Sequence, residues 1–406
     1  MDICAEKCTA CRVCKVVCPK GCIIETREKD GRVIMQIDDA VCIGCNSCKR
    51  ICPQLAPTNV SYPIKAFAAW NSINEEHLLS ASGGIASAIY RYCTDNGWLF
   101  VGTVYNEKNH TVSLQIGSTV EDIERFRGSK YVHSDANHVY RDIKSSLLKG
   151  KNVVFIGLPC QVAGLKNYVK NLKHDGALIS IDLVCHGTPP AEYLQEHIVS
   201  IAQKKNEKVK NCLFRDPEYG TNNFVFTLRN TDNKCFYVRE VVSDDYYQMG
   251  FHRAVLYREN CYSCSYARPE RCGDLTLGDY KGLGSLEKYV GNRHQVSCVL
   301  VSSSLGLDFF QEIIKKKYIT ATERPVDEPI RSDHQLNSPS IPHKARKSFI
   351  AYYEQGEGFE IACEKSLTAF IRKELFLKKI RYKKILDFLH KFRITNIKRV
   401  VRDRLY

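Results

Sequence analysis

The chain has 406 residues, 44% apolar and 26% charged, a composition that supports a packed core of two or three domains and excludes a disordered chain. No stretch of about 18 apolar residues offers a membrane-spanning helix. The net charge of +14 is concentrated in residues 371–406, where thirteen Lys and Arg face three acids, so the charge gives no argument for nucleic-acid binding.

Twenty cysteines are present, ten of them within the first 52 residues. The N-terminal MDICAEKCTACRVC places cysteines where a signal peptide needs an apolar segment, so the expectation is a reduced, cytoplasmic metalloprotein.

Residues 1–60 hold two runs of one pattern: Cys8-x2-Cys11-x2-Cys14-x3-Cys18-Pro19 and Cys42-x2-Cys45-x2-Cys48-x3-Cys52-Pro53. This is the two-cluster bacterial ferredoxin spacing, in which the fourth cysteine of each run serves the other cluster. It predicts Cys8, Cys11, Cys14 and Cys52 on one 4Fe–4S cluster, and Cys42, Cys45, Cys48 and Cys18 on a second. Zinc also takes four cysteines, but its ribbons use separated pairs rather than triplets with a crossed fourth ligand. Cys4 and Cys22 fall outside the pattern and read as small packing residues. Between the runs, IIETREKDGRVIMQI predicts a hairpin turning at Asp30-Gly31. PQLAPTNVSYP then reads as a linker.

From residue 64 onward strands alternate with helices. IKAFAAW, LFVGTVY, TVSLQIG, NVVFIGL and ALISIDLVC read as strands. IASAIYRYCTDNG, ANHVYRDIKSSLLKG, QVAGLKNYVKN and AEYLQEHIVSIAQKK read as helices, the first two closed by glycine. The alternation predicts a mainly parallel sheet covered on both faces. VKNCLFR, NFVFTLR, CFYVREVV, DLTLGDY and QVSCVLVSS add strands that make part of the sheet antiparallel. The expected class is α+β or α/β. Its parts are a ferredoxin-like domain at 1–60, a mixed-sheet domain at 64–320, and an extension at 321–406 ending in a basic helical tail. In that tail Leu375, Phe376, Ile380, Ile385, Phe388, Leu389 and Phe392 alternate with Lys and Arg, a pattern suited to an anionic membrane surface or a partner protein.

A second set of cysteines is widely spaced: Cys160 in GLPCQ, Cys185 in DLVCHGTP, then Cys261-x2-Cys264. Cys160 and Cys185 each follow a predicted strand, at the carboxyl edge where open α/β sheets bind ligands. Four thiols suffice for one more cluster. Cys272, seven residues beyond Cys264, stands as a competing ligand.

GLPCQ, DLVCHGTP, FRD (Phe214 to Asp216), CYSC and DLTLGDYKGLG, with Ser82-Gly83-Gly84 and Arg127 to Val132 upstream, resemble the beta-subunit family of hydrogenases and dehydrogenases using the deazaflavin coenzyme F-420. The resemblance covers about residues 64–310. It implies FAD beside a third 4Fe–4S cluster held by Cys160, Cys185, Cys261 and Cys264. Ser82, Gly83, Gly84, Arg127, Gly128, Ser129, Lys130 and Tyr131 would then bind the flavin, with His186 and Lys130 catalytic. Asp274 and Asp279 would hold the CxxC loop or cap turns. The expected function is an iron–sulfur flavoprotein oxidoreductase. It would pass electrons between a ferredoxin or other redox partner protein and a small-molecule or deazaflavin-like substrate, in either direction. The competing reading is a non-enzymatic electron-transfer subunit of a larger complex.

Overall fold

The computed structural model describes residues 3–136 and 138–391. The tail residues from Phe392 onward, and the side chains of residues 384–391, lie outside that description, so most of the expected basic amphipathic surface does too.

The N-terminal part is built from two matching halves. Helix α1 (Val13–Val17) precedes strands β1 (Ile23–Arg27) and β2 (Val33–Ile37), and helix α2 (Ser47–Ile51) follows. The hairpin pairs Ile23 with Ile37 and turns where Gly31 takes φ +79°. Each helix ends on the last cysteine of its run, Cys18 (φ −66°, ψ 116°) and Cys52 (φ −63°, ψ 118°). The same positions within each run are left-handed: Ala10 and Arg12 in the first, Gly44 and Asn46 in the second. Alternating handedness turns successive N–H groups into one concavity suited to an anion.

The body continues with β3 (Lys65–Asn71), α3 (Asn74–Leu78), α4 (Ile85–Asp95), β4 (Leu99–Asn106), β5 (Thr111–Gly117), α5 (Val120–Phe126), α6 (Val139–Leu148), β6 (Val153–Gly157), α7 (Pro159–Val169), β7 (Leu178–Leu183) and α8 (Ala191–Lys205). Then come β8 (Asn211–Leu213), β9 (Phe226–Arg229), β10 (Cys235–Arg239), α9 (Tyr246–His252), β11 (Leu275–Asp279), β12 (Ser297–Val301), α10 (Ser304–Lys315), β13 (Ile319–Arg324), α11 (Asp327–Ser332), α12 (Arg346–Glu354) and α13 (Gly358–Lys391). Eight strands form one sheet in the order β13-β3-β12-β11-β7-β6-β4-β5. The four central strands, β11, β7, β6 and β4, are parallel, and the flanking strands are antiparallel.

Strand β6 shows why the sheet is covered twice. Val154 and Ile156 pack with Ile85, Ile89 and Phe309 from α4 and α10. Val153 and Phe155 pack with Val139, Ile143, Val162 and Leu165 from α6 and α7. Alternate residues face opposite layers, and both layers are apolar. The expected mixed class therefore holds, with one difference. Strands β8, β9 and β10 form a separate antiparallel sheet. They are short, and their buried residues pack with α8, α9 and α13 in a core of their own rather than in the doubly covered sheet.

The expected 320/321 boundary meets β13, which pairs with β3 at the sheet edge. Helix α13 begins as a packed element, with Phe359, Cys363, Leu367 and Ile371 buried in the second core, and becomes solvent-exposed near Phe376.

His197 ties α8, α9 and α13 together. Its Nε2 lies 3.0 Å from Asp245 and its Nδ1 2.6 Å from Glu360. Burial opposes its protonation, but the two carboxylates, Asp245 first, outweigh burial and raise its pKa to about 9. A raised folded-state pKa contributes stability that is fully present below about pH 6.5 and lost as pH rises through about 9. The native chain should thus lose denaturant resistance between pH 6.5 and 9. His197→Gln should be weaker at pH 6 and nearly flat across that range. An equally steep decline in the variant would assign the effect elsewhere.

Candidate functional site

The two cysteine runs fold so that their sulfurs ring two cavities, each drawing its fourth member from the other run. Cys42, Cys45 and Cys48 line a cavity of about 330 Å³ together with Cys18. Cys8, Cys11, Cys14 and Cys52 line a second, tighter one of about 10 Å³. Among the described residues no three metal-ligating side chains converge on a point fit for a single ion. Four sulfurs spaced around a cavity suit a cube with four separate corners. Backbone N–H groups meet these sulfurs: Gly44 N lies 3.4 Å from Cys42 Sγ. The main chain at residues 20–22 does the same for Cys18, and that at residues 54 and 55 for Cys52. Such donors stabilise negative charge on a cluster's sulfurs. The donor sets therefore fit two clusters; the first cavity has room for one, while the second is closed around its sulfurs to about 10 Å³.

Of the two cysteines read as packing residues, Cys22 is buried in the module's core and Cys4 packs against it, partly exposed. Each also touches the crossing cysteine of its cavity, Cys4 Sγ at 3.6 Å from Cys52 Sγ and Cys22 Sγ at 3.3 Å from Cys18 Sγ.

The widely spaced cysteines come together at the carboxyl edge of the parallel strands. Cys160 lies in the first turn of α7, directly after β6, and Cys185 follows β7. Cys261 belongs to a 3-10 turn, Glu259–Ser263, with Cys264 just after it. Burial pushes the Cys185 thiol up to about 12, reinforced by Cys261 and Cys264 beside it. Burial also raises Cys160 strongly, and its neighbours include Cys185, Cys264 and Cys11 of the N-terminal module. A thiol so placed stays protonated unless a strong positive charge replaces its proton, and a coordinating metal does that. Cys11 Sγ also lies close to Gly164 of α7, so the module's first sulfur ring borders the body's.

Cys272 does not join that group. Its thiol lies 3.3 Å from Asp182 Oδ2 and 3.3 Å from Pro159 O. Asp182 also accepts from the Cys272 and Gly273 amides (3.2 and 2.9 Å) and pairs with Arg271 at 2.7 Å. Arg271 donates in turn to the carbonyls of Tyr266 and Arg268. The buried pair thus fixes the loop after the CxxC to β7. Asp274 accepts from Ser180 and Ser303, and Asp279 pairs with Arg215 at 2.8 Å, so neither carboxylate holds the CxxC itself.

His186 keeps an exposed edge at the end of β7. The protein around it and then the Lys281 ammonium lower its pKa, opposed by Asp333 and Asp279. Gly187 beside it takes φ +120°, and a Cβ there would stand 2.5 Å from the Tyr257 ring, so only glycine lets this ring close over the Cys185 turn. Tyr131 stacks on Phe251 at 4.6 Å and 11°, with Phe214 at 5.3 Å and His252 at 5.9 Å. The His252 Nε2 is buried without a hydrogen-bond partner, and burial lowers its pKa to about 4. Sequence reasoning misses Arg215 and His252: no local signal marks the histidine, and nothing in FRD shows that its arginine meets Asp279.

The residues assigned to flavin behave unequally. Gly83 donates to Ser297 Oγ at 2.9 Å, and its absent Cβ would stand 2.4 Å from Ala69 O, so strand packing already requires glycine there. Gly84 (φ +77°) opens α4 with no side-chain cap, leaving first-turn donors suited to an anion. Lys130 Nζ donates to the carbonyls of Phe126 (2.9 Å) and Arg127 (2.8 Å), and the surrounding protein lowers its pKa to about 7. Two of its three N–H donors thus cap the end of α5. Arg127 Nε is buried with no hydrogen-bond partner. Ser129 and Arg215 both bond the Tyr131 hydroxyl, while Gly128 has open space around it. The uncapped helix and the orphaned Arg127 nitrogen fit a phosphate; Gly83 and two of the Lys130 donors are otherwise engaged.

Residues 150–327 match the family described as the C terminus of the coenzyme F420 hydrogenase/dehydrogenase beta subunit. The match spans the GLPCQ, DLVCHGTP, FRD, CYSC and DLTLGDYKGLG motifs, and the resemblance carried by them holds for this stretch. Residues 1–60 lie outside it. Among solved structures, a chain of the xenon-derivatised F420-reducing nickel–iron hydrogenase complex from Methanosarcina barkeri is similar at 16% identity and a TM-score of 0.45. The similarity covers 67% of this chain and 86% of that one. No curated protein matches the chain. Among the described residues no helix is long and apolar enough to cross a membrane.

Proposed function

We propose that the protein is an iron–sulfur flavoprotein oxidoreductase that exchanges electrons with a redox partner protein through its N-terminal module and acts on a small-molecule or deazaflavin-like acceptor at the carboxyl edge of its sheet. The observation that carries this reading is the convergence of Cys160, Cys185, Cys261 and Cys264 at that edge, bordered by Cys11 of the module. Two clusters would sit in the crossed rings and a third among the four body cysteines. FAD would lie with its phosphates toward Gly84 and Arg127. Bound there, a flavin supplies the step between one-electron carriers and two-electron hydride chemistry.

The chain's own residues do the rest. The Tyr131–Phe251 stack offers an apolar, planar wall. Arg215 and Lys281, paired to Asp279 and Asp333, supply hydrogen-bond donors at the same edge without a net charge. His186, exposed and flanked by Lys281, Asp279 and Asp333, is the residue placed to move a proton to or from solvent.

Denaturing the anaerobically purified chain should release about one FAD per chain. Arg127→Ala should lower flavin occupancy several-fold while iron stays unchanged. An iron-loaded chain that neither contains flavin nor takes it up would replace this reading with the non-enzymatic electron-transfer subunit.

A further inference from the structure

A buried guanidinium needs a counter-charge, and among the described residues the other buried arginines have one. Arg271 pairs with Asp182, Arg324 with Glu328, Arg215 with Asp279 and Arg346 with Glu259. Arg258 is the exception. It is only 3% exposed, and among the described residues no carboxylate pairs with it. Its Nη1 donates to Thr9 O at 2.7 Å, its Nε to Thr188 Oγ1 at 3.3 Å, and its Nη2 lies 4.0 Å from Cys261 Sγ. Its main chain is held on both sides: its N–H donates to Thr188 O at 3.0 Å, and its carbonyl accepts from Cys261 N at 2.9 Å. Thr9 lies between Cys8 and Cys11 in the module, whereas Thr188 and Cys261 belong to the body.

Burying an unpaired cation is costly, so the sulfurs themselves must supply the negative charge. A cluster gains one negative charge on reduction, and a fixed cation in a low-dielectric setting favours that gain. A guanidinium also spans two acceptors with one rigid fork, which an ammonium does not.

We propose that Arg258 is a positioning residue that raises the reduction potential of the body cluster and fastens the module's first cysteine loop against it. The assignment rests on the cluster reading above. It uses charge and reach alone, and no proton or bond is exchanged.

The test is a redox titration of the full chain followed by electron paramagnetic resonance, with iron counted first. The native chain should hold about twelve irons, eight in the module and four in the body. In Arg258→Met and Arg258→Gln at equal iron content, the body cluster should become at least tenfold harder to reduce, about 59 mV for one electron. Arg258→Lys, which keeps the charge, should recover most of that loss. If neither neutral variant folds, the lysine variant decides. A body cluster within threefold of native reducibility supports the assignment, and a tenfold loss despite the retained charge overturns it. A native chain with only eight irons removes the cluster reading itself. A twelve-iron chain whose potential ignores residue 258 overturns this assignment alone.

Discussion

Arg271→Ala should lower stability by about 3–5 kcal/mol, the range for removing one partner of a buried ion pair. Arg271 and Asp182 have side chains 2% and 0% exposed, and the lost guanidinium would leave the carboxylate without its cation at the centre of the sheet. Asp182 retains only the amides of Cys272 and Gly273, the Cys272 thiol and no positive charge. The damage extends to function because Arg271 also binds the carbonyls of Tyr266 and Arg268, within the loop that follows Cys264. The denaturant midpoint should fall sharply under anaerobic conditions, and the body's irons should become easier to chelate. A stability loss under about 1 kcal/mol, typical of exposed pairs, would show that water reaches Asp182 and that the loop has another anchor.

The local elements are readable in the sequence because their signals are local. Cysteine spacing fixes which sulfurs share a loop, and Gly31, Gly97 and Gly150 all take the positive φ that their turn or helix end requires. Strand partners are less legible. The alternation in VKNCLFR, NFVFTLR and CFYVREVV identifies strands, but nothing in it states that they leave the main sheet to pair with one another. Strand β13 and helices α10 to α12 are absent from the expected elements, although α10 carries a start signal in the sequence, Ser303, whose side chain accepts from Gly306 N.

The candidate site divides along the same line. Motif cysteines can be named in advance, because metal chemistry restricts residue type and spacing together. Arg258 cannot, since its meaning lies in the absence of a carboxylate nearby, a fact of three dimensions. Lys130 shows the other side: a lysine in a basic loop reads as a phosphate ligand, and nothing in the sequence shows that two of its three donors meet carbonyls at the end of α5. Gly83 likewise has a packing reason that a glycine-rich motif conceals.

Cys261→Ala should remove about four of about twelve irons per chain and leave the remaining eight in place. The change is specific because Cys261 is buried in a turn of the body, with Cys185 and Cys264 as charge neighbours and Arg258 Nη2 at 4.0 Å. The module's rings contain no body cysteine, so their sulfurs are untouched. Alanine preserves the turn, in which the N–H of residue 261 still donates to Arg258 O. Three thiols would remain for the body cluster, and Cys272 cannot replace the fourth without leaving Asp182 and Pro159. Cys272→Ala should accordingly keep all twelve or so irons. Iron and acid-labile sulfide should be measured together on anaerobic protein, so that adventitious iron is not counted as cluster. A count of about eight in both the native chain and Cys261→Ala would show that the body holds no cluster, an unchanged twelve or so would remove Cys261 from its ligands, and a loss in Cys272→Ala instead would move the fourth ligand to that position.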